Sequence, residues 1–149
     1  MKNIILLFLL YFVCNPSLQG QHIATNKQKI DIEALIDKYS LARENKDTVL
    51  LKNILTNDID QLVSTGEWRD GIAASVKGML RSSASRPGTR TLKVEKLRLL
   101  SPSSAIVDCK YEIENSDGTP RRMWSTFMIV SDKGTWKISA IRNMLPTEQ

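Results

Sequence analysis

Histidine and cysteine are scarce in this 149-residue chain, which has one histidine, His22, and two cysteines, Cys14 and Cys109. So few nitrogen and sulfur ligands leave no set for a transition-metal site. The same scarcity removes His-dependent triads and thiol catalysis. The glycines are scattered, and none builds a phosphate-cradling loop or a dinucleotide-binding turn. No cofactor is therefore expected. Internal repeats and low-complexity linkers are missing too. With 42% hydrophobic and 25% charged residues, the composition is that of an ordinary folded chain. Its length suits one domain of about 100–200 residues.

The longest apolar run is Ile4 to Cys14, preceded by Lys2 and followed by Asn15-Pro16. It is too short for a membrane-spanning helix, which needs about 20 residues. One basic residue, a short apolar core and a Pro/Ser break match a secretory signal. Residues 1–20 are accordingly read as a signal peptide cut after Gly20, residues 21–29 as a leader and 147–149 as a tail. A secreted or periplasmic location follows. Tyr11-Phe12-Val13 before Cys14 disfavours a lipoprotein site. Removing residues 1–20 takes away Lys2 and no acid, so the charge falls from +5 to +4. Cys109 is then left without a disulfide partner.

Ile32, Leu35, Ile36, Tyr39 and Ala42 recur at helical spacing. Asp47 is a candidate N-cap for a short second helix carrying Leu50, Leu51, Ile54 and Leu55, which should stop near Thr56-Asn57-Asp58. Ile59 to Val63 reads as a brief strand, and Gly66 to Gly71 as a turn-rich stretch. Ile72, Val76, Met79 and Leu80 mark a third helix that ends at a loop over 82–88. Beyond it the period changes from 3.6 to 2. Leu92 and Val94 alternate, and Leu97 and Leu99 follow in the opposite phase, so a β-bulge is expected near Glu95-Lys96. Ala105 to Ile113, Met123 to Val130 and Thr135 to Met144 complete an antiparallel meander. Its hairpins lie at Asn115-Ser116-Asp117-Gly118 and Lys133-Gly134. Three N-terminal helices packed on a curved antiparallel sheet make an α+β domain spanning 30–146.

Three stretches carry a resemblance: Ile36 to Asp47, Gly66-Glu67-Trp68-Arg69-Asp70-Gly71, and Trp136 to Pro146. In that order they resemble the SnoaL-like members of the nuclear transport factor 2-like superfamily, the last stretch being similar to a small uncharacterised subgroup (SgcJ/EcaC-like). The resemblance implies a cone in which a curved sheet and its helices enclose one apolar pocket. It also implies a homodimer through the outer sheet face. Relatives of this kind include ketosteroid isomerases, polyketide cyclases, dehydratases and association domains, so fold alone does not choose a function.

Tyr39 falls where the isomerases carry an oxyanion-stabilising tyrosine, although it also completes the apolar helix stripe. The isomerase base would fall near Leu62, Val63 and Ser64, where no carboxylate stands; Asp58 and Asp60 are the nearest acids. Trp68 and Trp124 are candidate pocket aromatics, and Trp136 a core residue. Arg142 follows Trp136, Ile138 and Ala140 at strand spacing, which puts it on their face and Asn143 on the other. Its planar fork suits a carboxylate or phosphate ligand, or an ion pair with Asp58 or Glu67. Arg81, Arg86, Arg90 and Arg121-Arg122 read as solvated loop positions. Without a nucleic-acid-reading motif, a charge of +4 points to no nucleic-acid partner. The sequence thus predicts an unidentified small, partly apolar ligand in the cone. A cyclase-, isomerase- or dehydratase-type enzyme using Asp58 with Tyr39 or Arg142 is the second reading, and a non-catalytic association module the third.

Overall fold

The computed structural model describes residues 22–85, 87–115 and 117–146. The expected signal peptide, Cys14, Arg86 and the tail lie outside the described residues. Among those described, no helix is long and apolar enough to cross a membrane.

Helix α1 spans Asn26–Glu44 and starts inside the stretch read as a leader. A capping box explains the early start: the Thr25 side chain accepts from the Gln28 backbone N–H while Gln28 accepts from the Thr25 backbone N–H. The stripe Ile32, Leu35, Ile36, Tyr39 and Ala42 is buried as its spacing requires, and Arg43 extends it. Asp47 caps α2 (Thr48–Ile54), accepting from the N–H groups of Val49 and Leu50.

Strand β1 (Leu55–Leu62) begins at once, through the Thr56-Asn57-Asp58 segment that reads as a stop in sequence. Buried Leu55 and Ile59 hold it in the sheet. Gly66, at φ +87°, lets the chain reverse, and Val63 donates its N–H to the Glu67 carbonyl. Strand β2 (Trp68–Asp70) then pairs back on β1, where the sequence suggested only a turn. Helix α3 (Gly71–Ser85) follows directly and runs four residues into the expected loop.

Strands β3 (Gly88–Ser101), β4 (Ser104–Asn115), β5 (Pro120–Asp132) and β6 (Thr135–Met144) form the expected meander. The sheet order is β2-β1-β6-β5-β4-β3, and β1 runs parallel to β6. The sheet is therefore mixed rather than wholly antiparallel. Strand β2, helix α3 and the meander separate β1 from β6, the long connection that a parallel pairing needs. The register of β3 shifts between Val94 and Lys96, at the bulge its changed phase implied. A second bulge, absent from the sequence reading, sits in β6. Ile129 faces Ile138 while Met128 faces Ala140, so Ser139 is extra.

The helices cover one sheet face. Tyr39 meets Phe127 edge-on, with ring centroids 5.3 Å apart, inside a core that includes Ile32, Leu51, Ile59, Met79, Val107, Ile138 and Ile141. A smaller cluster of Tyr111, Ile113 and Met123 continues the inner face toward its open end.

Candidate functional site

Cross-strand register builds the open end of the inner face. Arg90 of β3 lies opposite Ile113 of β4, and Ile113 lies opposite Arg121 of β5. The next row inward is Leu92, Tyr111 and Met123. Cys109, Ser125 and Asn143 follow, with Ser125 donating to Asn143 Oδ1 at 2.7 Å. A cavity of about 230 Å³ opens over these rows. Val63 to Thr65 of the β1–β2 turn and the C-terminal half of α3 close its sides. It lies just below the range usual for ligand pockets, about 300–1,000 Å³.

Five arginines line this cavity: Arg43, Arg69, Arg81, Arg90 and Arg121. Arg43 and Arg69 are only 6% and 5% exposed. Arg43 leaves the last turn of α1 one helical turn after Tyr39 and donates to the Tyr39 hydroxyl at 2.9 Å. It also donates to Ser83 Oγ at 3.4 Å. Burial works against the Arg43 charge, but the Tyr39 and Tyr111 phenols more than offset it, so its pKa lies above the ordinary arginine value. Burial likewise pushes the Tyr39 phenol up, against the pull of Arg43, so Tyr39 is a neutral partner.

Arg69 stands in the middle of β2 and points under α3. It donates to Glu67 Oε1 at 3.1 Å, Gln61 Oε1 at 3.2 Å and Ser82 Oγ at 3.0 Å. Gly78 makes room for it: a Cβ there would stand 2.5 Å from Arg69 Cδ and 2.7 Å from Cζ. Glu67 also receives Arg81 at 2.6 Å. The hydrogen bond from Arg69, opposed by desolvation and assisted by the charges of Arg69 and Arg81, holds the Glu67 carboxyl below its ordinary value. Arg121 donates to Ser64 Oγ at 2.9 Å, and Arg90 to the Gly88 carbonyl at 3.0 Å.

The residues singled out in sequence stand elsewhere. Tyr39 is buried in the core behind Arg43 and does not line the cavity. Asp58 is exposed on β1. Arg142 lies on the outer sheet face, because the extra residue in β6 reverses the alternation after Ile138. Asn143 consequently faces inward and lines the cavity. Arg142 chelates the Asp60 carboxylate, at 2.8 and 3.0 Å, and covers the Trp68 ring with Cζ 4.8 Å from its centroid. Neither Asp58 nor Glu67 is its partner. Trp68 is 53% exposed on β2, and Trp124 lies near Lys110 Nζ on the outer face. Asp58, Tyr39 and Arg142 share no cavity, so the acid–base arrangement that would unite them has no geometric basis.

The arginines read as solvated loop positions behave differently. Arg90 and Arg121 belong to strands and face the cavity, and Arg81 reaches it from α3. Their signal was available in the alternation: Arg90 precedes Leu92 and Val94 in phase, and Arg121 precedes Met123 and Phe127. Among the described residues, no three of His, Cys, Asp and Glu gather as metal ligands. The single described cysteine, Cys109, is buried, and desolvation first and Asp108 second push its thiol up to about 12.

No family model and no curated protein sequence matches the chain. Solved structures do. A ketosteroid isomerase-like protein from Erwinia carotovora atroseptica superposes with a TM-score of 0.70 at 18% identity, over 83% of this chain and 100% of that one. An NTF-2-like protein of unknown function from Shewanella oneidensis gives 0.67 at 14% identity, over 78% and 98%. A putative calcium/calmodulin-dependent protein kinase II association domain from Xanthomonas campestris gives 0.68 at 14%, over 87% and 96%. At such identities the likeness carries the fold alone. The chain has the nuclear transport factor 2-like cone fold, with three helices on a six-stranded mixed sheet.

Proposed function

We propose that this is an exported cone-fold domain that binds a small, partly apolar molecule at the mouth of its cone. The observation that carries the reading is the cavity itself. Tyr111, Ile113, Met123 and Val63 give it apolar wall, while Gln61, Ser64 and Asn143 offer hydrogen-bonding groups beside them. No reaction is assigned, because no pair of acid and base converges there. Met123→Trp should fill the cavity without disturbing the outer face. A panel of small metabolites screened by thermal shift should yield compounds that stabilise the native protein and lose that effect in Met123→Trp. A panel in which every stabilising compound acts equally on both proteins defeats the reading.

Export rests on the N-terminal pattern alone, and mass spectrometry of the secreted chain would detect a new N-terminus at Gln21. Dimerisation is proposed through the outer sheet face, where Trp68, Trp124 and Met144 are exposed. Light scattering would test it, with Trp124→Lys expected to give monomers. A monomeric wild-type protein at micromolar concentration would refute it.

A further inference from the structure

We infer that the ligand of this cavity is an uncharged molecule recognised through a carbonyl oxygen, which accepts from the side-chain NH2 groups of Gln61 and Asn143; this deepens the pocket reading above and rests on it. Gln61 is 1% exposed and lines the cavity from β1. Its Oε1 accepts from Arg69 at 3.2 Å. Arginine has donors only, so the amide atom facing Arg69 must be the oxygen, and Nε2 is turned away from it. Among the described residues, Gln61 Nε2 makes no hydrogen bond. A buried donor without an acceptor is costly, so a ligand oxygen arriving there gains a bond that the protein itself does not supply.

Asn143 repeats the arrangement from β6. Its Oδ1 accepts from Ser125 at 2.7 Å, which leaves Nδ2 as a donor with no hydrogen bond among the described residues. Gln61 lies opposite Ile141 in the parallel β1–β6 pairing, and Asn143 stands two residues further along β6 on the same face. Two donors on adjacent strands, one row apart, therefore line the same space. A carbonyl oxygen carries two lone pairs and suits both. Hydroxyls such as those of Ser64 and Thr65 rotate to donate or accept, whereas these amides are held one way round by Arg69 and Ser125. Glu67 and Ser82 fix Arg69 in turn.

The arginines of the lining do not set the ligand class, because each is already engaged. Glu67 takes Arg69 and Arg81, and Tyr39 and Ser83 take Arg43. Ser64 takes Arg121, and the Gly88 carbonyl takes Arg90. Beside the two amides, Tyr111, Ile113 and Met123 form an apolar wall for the rest of the molecule. A volume near 230 Å³ limits that body to a compact one. A small ketone, ester, lactone or amide has this combination of one fixed acceptor and an apolar remainder.

Three probes of similar size test the inference by NMR titration: acetophenone, α-methylstyrene, in which CH2 replaces the carbonyl oxygen, and benzoate, which adds a charge. Acetophenone should move the side-chain NH2 signals of Gln61 and Asn143 and bind more tightly than benzoate. Gln61→Glu and Asn143→Asp keep the size of each side chain and the oxygen held by Arg69 or Ser125, but remove the NH2 group. In each variant the affinity for acetophenone relative to α-methylstyrene should fall about tenfold, the worth of one hydrogen bond to a buried donor. Should Gln61→Glu fail to fold, Asn143→Asp on β6 carries the test. Acetophenone and α-methylstyrene both lost in Met123→Trp, with their ratio unchanged in the amide variants, would overturn the carbonyl class while the pocket stands. Benzoate binding more tightly than acetophenone would make charge the recognised feature and overturn it too. Failure of all three probes overturns the carbonyl class, whereas the pocket reading falls only if the Met123→Trp comparison also fails.

Discussion

Substituting Gly78 by alanine sets helix propensity against the packing of Arg69. Gly78 lies inside α3, where alanine is worth about 1 kcal/mol more than glycine. Propensity alone therefore predicts a stabilised protein. The added Cβ would, however, occupy the space of Arg69 Nε, Cδ and Cζ. Arg69 has nowhere to retreat without dropping its bonds to Glu67, Gln61 and Ser82. Gln61 is 1% exposed, so losing its partner leaves a buried acceptor unsatisfied, at about 1–3 kcal/mol. The charge-assisted bonds and the lost packing add about 1–2 kcal/mol more. Set against the helix gain, Gly78→Ala should destabilise by about 2 kcal/mol, read as a lower midpoint in urea at unchanged slope. A double-mutant cycle isolates the cause. In an Arg69→Ala background the clash is gone, and Gly78→Ala should stabilise by about 1 kcal/mol. A single variant as stable as wild type, or the same sign in both backgrounds, would refute the account.

Other outcomes follow from the same geometry. The Glu67 pKa is lowered on folding, so its share of stability is fully present above the unfolded value of about 4.3 and is lost as pH falls through the lower folded value. Glu67→Gln should flatten that part of the acid unfolding curve, leaving the slopes from Glu95 and Asp117, which are lowered too. An identical acid limb in both proteins would contradict it. Cys109, with its thiol near 12, should resist iodoacetamide at pH 8 in the native protein and react only on unfolding, as peptide mass spectrometry would show. Asp60→Ala breaks a half-exposed pair with Arg142 on the outer face. It should cost less than about 1 kcal/mol and leave binding in the cavity unchanged. A tenfold loss of ligand affinity would place Arg142 in the site after all.

Burial periodicity made most of the elements legible. The α1 stripe, the Asp47 cap, the β3 bulge and the Lys133-Gly134 hairpin, whose residues sit at φ 50° and 82°, all have local signals. Local signals fail where a long-range partner decides. Thr56-Asn57-Asp58 has turn chemistry, yet β1 runs through it because Leu55 and Ile59 are buried against distant β6 and the helices. Ser139 carries nothing that marks a bulge, and that one residue turns Arg142 outward and Asn143 inward.

The arginine cavity was hidden for a different reason. Each arginine obeys a visible period: Arg43 sits four after Tyr39, Arg90 two before Leu92, and Arg121 two before Met123. Charged residues at the end of an apolar stripe are ordinarily its solvated margin, since an isolated buried charge is so costly. What reverses that expectation is the meeting of several stripe ends at one place. Helix α1, α3 and strands β2 to β5 all end or begin at the cone mouth, so their margins point at each other and not at bulk water. Glu67 stands among them and takes two, Arg69 at 3.1 Å and Arg81 at 2.6 Å.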